Sequence, residues 1–101
     1  VGKLIYGPAA QEIDIDDRLL AHLRIVVNAK FRRGECFLLN WEHHSGEGNG
    51  RSSIWMHPTI PLHMRFFGNR QPPVNRLWID ALMLTANSAN GLTLLPEPEA
   101  A

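Results

Sequence analysis

Chemistry in this chain would have to come from a few small sets of residues. His43, His44, His57 and His63, with Glu42 beside the first pair, gather around one expected hairpin and the strand after it. Such side chains are donors that can enclose zinc, but no pair has the helical spacing of a zinc peptidase, and a lone cysteine, Cys36, cannot supply paired thiolates. Histidines spread over a loop and a sheet face are the better reading, with no metal expected. The run Gly46-Glu47-Gly48-Asn49-Gly50-Arg51 has the glycine content of a phosphate-cradling loop. Phosphate loops lead from a strand into a helix whose N-terminus holds the anion, whereas this run should join two antiparallel strands, and Glu47 would repel phosphate. Ser45, Ser52, Ser53 and Ser88 lack the strand-to-helix elbow that exposes a nucleophile. Glu12, Asp14 and Asp16 alternate and could share a cation, but an acidic strand edge leading to a helix cap explains them more simply. These residues indicate no catalytic group and call for no cofactor.

Surfaces are the remaining candidates. Ile79, Met83 and Ala86 recur at spacings of four and three on the side of an expected second helix opposite its core face, beside Arg76 and Asn87. A helix apolar on both sides is sandwiched or used as an interface, and a chain this short has little left to cover it. Contact with another copy, or with another protein, is therefore the leading expectation for a non-catalytic domain. The alternative is DNA or RNA: Arg51, Arg65, Arg70 and Arg76 would contact phosphates, and Trp55 and Phe67 would offer stacking surfaces. No RNP-type sequence accompanies them.

The elements that must position these residues follow from composition and periodicity. With 101 residues, 45% of them hydrophobic, the chain fits one domain with one core, here residues 1–95, followed by a disordered Pro/Glu/Ala tail over 96–101. The formal net charge is zero, which argues against a general polyelectrolyte binder, although acids cluster at Glu12, Asp14, Asp16 and Asp17 and arginines crowd the centre. Cys36, in an apolar run, reads as a buried, reduced thiol of a cytosolic protein. The opening Val1-Gly2-Lys3-Leu4-Ile5-Tyr6-Gly7 is too short and broken for a signal peptide, and no run reaches membrane-spanning length, so a cytoplasmic location without membrane contact is expected.

Lys3–Tyr6 and Glu12–Asp16 read as strands, with Ile13 and Ile15 inward. Asp16 or Asp17 should cap a helix that Gly34 ends, with Leu19, Leu20, Leu23, Val26, Val27 and Phe31 on its core face. His22 falls outside or at the edge of that face, and Lys30 should lay its stem on the core while its ammonium reaches water. Glu35–Trp41 and Ser53–His57 are strands flanking the glycine-rich tip, and Leu62–Phe67 is a third, with Leu62, Met64 and Phe66 on one face. A second helix should begin near Pro73, bury Val74, Leu77, Trp78, Ala81, Leu82 and Thr85, and end at an Asn90-Gly91 cap before a closing strand, Leu92–Leu95. The expected fold is α+β, one domain with a mixed, mostly antiparallel sheet of about six strands and both helices on one face. The order is strand, strand, helix, strand, then the same again. A shift of 57 residues lays Gly34 on Gly91 and Ala29 on Ala86, in keeping with a ββαβ duplication.

The whole chain also resembles a known group. Gly2-Lys3-Leu4-Ile5-Tyr6-Gly7, Glu12-Ile13-Asp14-Ile15-Asp16-Asp17, Arg33-Gly34-Glu35, Arg51-Ser52-Ser53-Ile54-Trp55, Phe67-Gly68-Asn69-Arg70-Gln71-Pro72 and Trp78-Ile79-Asp80-Ala81-Leu82-Met83 together resemble a family of small actinobacterial proteins of unknown function, often labelled "ATP-dependent DNA ligase". The resemblance covers residues 2–98. The label would require a Lys-x-Asp-Gly nucleophile, yet Lys3 is followed by Leu-Ile-Tyr and Lys30 by Phe-Arg-Arg, so no catalytic residue carries over. What the label would leave for this chain is an accessory role on DNA.

Overall fold

The alternation of apolar and charged residues around Ile13 and Ile15 builds a half-buried strand, which pairs with the one before it. The computed structural model describes residues 2–43, 50–68 and 71–99, with the backbone alone at His43. Its elements are β1 (Gly2–Tyr6), β2 (Gln11–Ile15), α1 (Asp17–Arg32), β3 (Phe37–His43), β4 (Gly50–Met56), β5 (Leu62–Arg65), α2 (Arg76–Ala86) and β6 (Leu92–Thr93). The fold is α+β. Its six strands divide into two three-stranded sheets, β2-β1-β5 and β4-β3-β6, where the sequence suggested one. The reason lies in the turn after β4, which carries the chain across to β1, where Gly7 N–H donates to the Pro61 carbonyl at 3.0 Å. Tyr6 joins the sheets, since its hydroxyl donates to the Trp55 carbonyl and accepts from His57 N–H.

In the first sheet Leu4, Ile13 and Ile15 point inward under α1, while Lys3, Glu12, Asp14, His63 and Arg65 form the outer face. In the second, Phe37, Leu39, Met56 and Leu92 point inward, and Leu38, Asn40, Arg51, Ser53 and Trp55 lie on the other side. The helices pack on each other, α1 against β1 and α2 against β3 and β6. His22 of α1 meets Asn75 and Trp78, whereas Lys30, two turns on, meets Asn87, so the helices run side by side in the same direction. The strands that follow them, β3 and β6, pair in parallel accordingly.

That parallel arrangement is where the repeated element order is visible. Gly34 and Gly91 both take positive φ, 71° and 88°, after their helices and ahead of these paired strands. The first halves of the repeat differ: β1 pairs with β2, but β4 pairs with β3 and β5 with β1. Gly91 also has a second duty, because a Cβ there would lie 2.6 Å from the Leu38 carbonyl oxygen. It is therefore a close-approach glycine between strands, and α2 ends earlier than expected, at Ala86 with Asn87 as cap.

Four further expectations change. Cys36 is exposed, because its neighbour Phe37 takes the inward direction and a strand alternates. His22 is buried, 1% exposed, since α1 is covered over a wide arc by both the first sheet and α2. Lys30 is likewise 5% exposed and its ammonium stays inside, donating to Asn87 Oδ1 at 2.8 Å with Glu35 at 3.7 Å. Helix α2 is rotated: Trp78, Leu82 and Ala86 are buried, while Val74 and Leu77 are exposed. An almost wholly apolar helix has no single face that periodicity can choose.

Candidate functional site

The N-terminus of α2 is fixed first, because everything on that helix depends on it. Asn75 is its cap, accepting from Leu77 N–H at 3.0 Å, and an Asn immediately before an apolar periodic run is a signal that the nearby prolines obscured. The Asn75 N–H donates to His22 Nε2 at 2.9 Å, and His22 Nδ1, 2.7 Å from the Arg18 carbonyl, is left to donate to it. Each ring nitrogen thus has one role, and the ring lies 4.6 Å from that of Trp78. Trp78 Nε1 donates to the Leu95 carbonyl at 3.0 Å.

Beyond β6 the chain has no regular structure, yet it is tied to this cluster. Arg18 holds Glu97 through Nε at 2.7 Å and Nη2 at 2.6 Å, and Asn75 Nδ2 donates to the same carboxylate at 2.9 Å. The Arg18 hydrogen bonds, then the one from Asn75, hold the Glu97 carboxyl well below its usual range, at about 2. Hydrogen bonding to Glu97 raises Arg18 in turn. Asp17 does similar service for the connection before α2, accepting from Phe67 N–H at 3.1 Å and Gly68 N–H at 3.0 Å. The side chains of the cluster bind one another and the backbone, so it is a structural lock.

With α2 locked in this way, its surface is defined. Of the three residues expected to form an interface, Ile79 and Met83 are half-buried against the core and Ala86 belongs to the core itself. The exposed apolar side is instead Leu77 and Leu84, with Val74 ahead of them. The free face is therefore Leu77 and Leu84 in place of Ile79, Met83 and Ala86, about 140° round the helix, and no sequence signal distinguishes the two orientations.

The residues expected to meet nucleic acid are distributed over the molecule. Arg51 and Trp55 lie on the outer side of β4, Arg65 on that of β5 in the other sheet, and Phe67 just past it, with the Arg65 guanidinium 5.8 Å from its ring. Arg76 opens α2, and Arg70 lies outside the described residues. The structure brings together only Arg65 with Phe67 among the described ones; Arg51 and Trp55 share a side of β4 but stand about 13 Å apart along it, with Ser53 between.

The histidines do not converge. His57 Nδ1 is occupied by Thr59, 3.2 Å from its N–H and 2.7 Å from its hydroxyl, and His63 is exposed on the first sheet. The side chains of His43 and His44, and the loop over 44–49, lie outside the described residues. Among the described residues no group of three His, Cys, Asp or Glu is placed to hold a metal ion. No described helix is long and apolar enough to cross a membrane.

Comparison with known proteins agrees with this picture of a whole small domain. Residues 1–97 match the family described as "Domain of unknown function (DUF7882)", and the chain belongs to that family. No curated protein and no solved structure matches the chain.

Proposed function

We propose that this chain is a small non-catalytic interaction domain that associates with a second copy through the outer side of α2. The observation that carries this is the exposure of Leu84, 75%, with Leu77, 47%, seven residues earlier on nearly the same line of the helix and Val74, 55%, before it. Seven residues span about 10.5 Å of helix. A two-fold axis crossing α2 between Asp80 and Ala81 sets Leu77 of each copy against Leu84 of the other, and the small Ala81 between them lets the helices approach. Such a surface is self-complementary without help from another protein. It is also narrow, so association is weak and depends on concentration.

Sedimentation equilibrium over a concentration series tests this reading with Leu84→Asp as the variant. The wild type should gain average mass with concentration and the variant should remain monomeric with an unchanged urea midpoint. A wild type that stays monomeric at millimolar concentration removes the proposal.

A second reading, binding of single-stranded or nicked DNA, is favoured by one observation: Trp55, exposed on the outer side of β4, shares that side with Arg51. A stacking ring with a guanidinium about 13 Å along the same side of a strand suits a ligand that carries both bases and phosphates. Anisotropy titrations across a salt series should then show binding that weakens as salt rises, lost in Trp55→Ala. Absence of binding at low salt eliminates it.

A further inference from the structure

Among the described residues the first sheet has two edge strands, β2 and β5. Its order is β2-β1-β5, so β5 has β1 on one edge and, among the described residues, no strand on the other. Every second residue of such an edge presents an N–H and a carbonyl to whatever comes beside it. The inward residues Leu62 and Met64, followed by Phe66, are only half-buried. Together with Ile25, Val27 and Phe31 of α1 they line a groove of about 550 Å³, with Arg24 and Asn28 at its rim. The outward residues of β5 are His63 and Arg65.

The opposite edge of the same sheet indicates what would complete it. There β2 carries Ile13 and Ile15 inward and Glu12 and Asp14 outward, and Lys3 of β1 reaches those acids at 3.6 and 2.9 Å. The hydrogen bond and charge of Asp14, with Glu12, hold the Lys3 ammonium above its usual range. Lys3 on the outer side of β1 therefore already has acids beside it on one side. On the other side Arg65 and Arg24 have no carboxylate partner among the described residues. Asp17 lines a neighbouring pocket with Arg24 and Phe66 but is committed to Phe67 and Gly68 N–H.

We propose that β5 and the groove beside it receive an extended peptide segment in which apolar residues alternate with acidic ones, added as a fourth, antiparallel strand. Its apolar side chains enter the groove between Met64, Phe66, Ile25 and Phe31. Its acidic side chains, pointing the other way, lie beside His63 and Arg65. Backbone hydrogen bonds to the free edge supply much of the affinity, and alternation supplies the selection. This rests on reading the chain as a protein-interaction domain, but it uses a surface separate from Leu77 and Leu84.

The probe is a fluorescent peptide of three Asp-Ile repeats, titrated with the full chain alongside its Lys-Ile counterpart. The acidic peptide should bind, the basic one at least tenfold more weakly, and the double variant His63→Glu, Arg65→Glu should reverse that preference. N-methylation at one alternate set of peptide nitrogens should abolish binding, because those N–H groups face β5, while the other set leaves it intact. Leu84→Asp should bind the acidic peptide as the wild type does, which separates this surface from self-association. No binding at on the order of 1 mM peptide overturns the proposal, since strand addition to a formed edge has no folding cost large enough to hide it. So does equal binding of both peptides, or indifference to both N-methyl patterns. Nuclear magnetic resonance shifts confined to α2 instead of residues 24–31 and 62–66 would overturn it as well.

Discussion

Truncating Leu84 to alanine separates the assembly proposed for α2 from the stability of the fold. The side chain is 75% exposed in the single chain, whereas Leu82, two positions away, is fully buried. Fully burying a leucine is worth about 1.5–3 kcal/mol, so three quarters of that, counted once per copy, is about 2.3–4.5 kcal/mol per dimer. At 1.4 kcal/mol per tenfold, the dimer dissociation constant of Leu84→Ala should rise by about 40- to 1,600-fold. The monomer should notice little, within about 0.5 kcal/mol by urea denaturation at a protein concentration below dimerisation. Leu82→Ala should behave in the opposite way, losing about 2–5 kcal/mol of stability because it leaves a cavity in a closed core. Sedimentation equilibrium and denaturation on the same samples provide both quantities. If Leu84→Ala associates as the wild type does, the two-fold contact is wrong. If Leu84→Ala destabilises the monomer as much as Leu82→Ala, the orientation derived for α2 is wrong too.

Other substitutions probe the frame that holds this surface. Gly91→Ala should cost about 3 kcal/mol or more in urea denaturation, since its φ of 88° penalises an L residue by about 1–2 kcal/mol and its Cβ would meet the Leu38 carbonyl at 2.6 Å; a loss below about 1 kcal/mol would show that β6 can retreat from β3. Lys30→Met should be tolerated better than Lys30→Ala, because methionine keeps the buried stem while Asn87 and Glu35, both in reach of water, resolvate. Comparison of their urea midpoints checks this, and the reverse order would mean that the Lys30 stem is not packed in the core. Glu97, depressed from 4.5 to about 2 by Arg18 and Asn75, contributes stability that is fully present above about pH 4.5 and is lost as pH falls towards 2. Glu97→Gln should lose that contribution at neutral pH and so flatten this part of an acid-unfolding curve, the two proteins converging towards pH 2, and an unchanged curve would mean the Arg18–Glu97 pair is not kept in solution.

The strands, both helices and the inward residues of β2 and β5 were legible because local rules settle them. Alternation at Glu12–Ile15 fixed which side of β2 is buried, Asp16 capped α1 as its type suggests, and Gly34 ended it with the positive φ its lack of a Cβ permits. The candidate surface was legible only as a property of α2. An apolar helix of 11 residues advertised that some face would be left over, but not which one. Long-range bonds made that choice: Asn75 to His22 across 53 residues, Trp78 to Leu95, and Glu97 to Arg18 across 79.

The same division runs through the rest of the molecule. Residue type and spacing determined that the chain folds as α+β, that its strands are half-buried, and that it carries no signature of a reactive centre. Tertiary structure alone decided that the strands split into two sheets, that His22 and Lys30 go inside while Cys36 stays out, and that β5 is left as an edge. Local sequence sets how one residue sits relative to its neighbours through torsions and alternation. Which of two equally apolar faces is covered depends on partners fifty or more residues away, and their energies add only once the chain has closed upon itself.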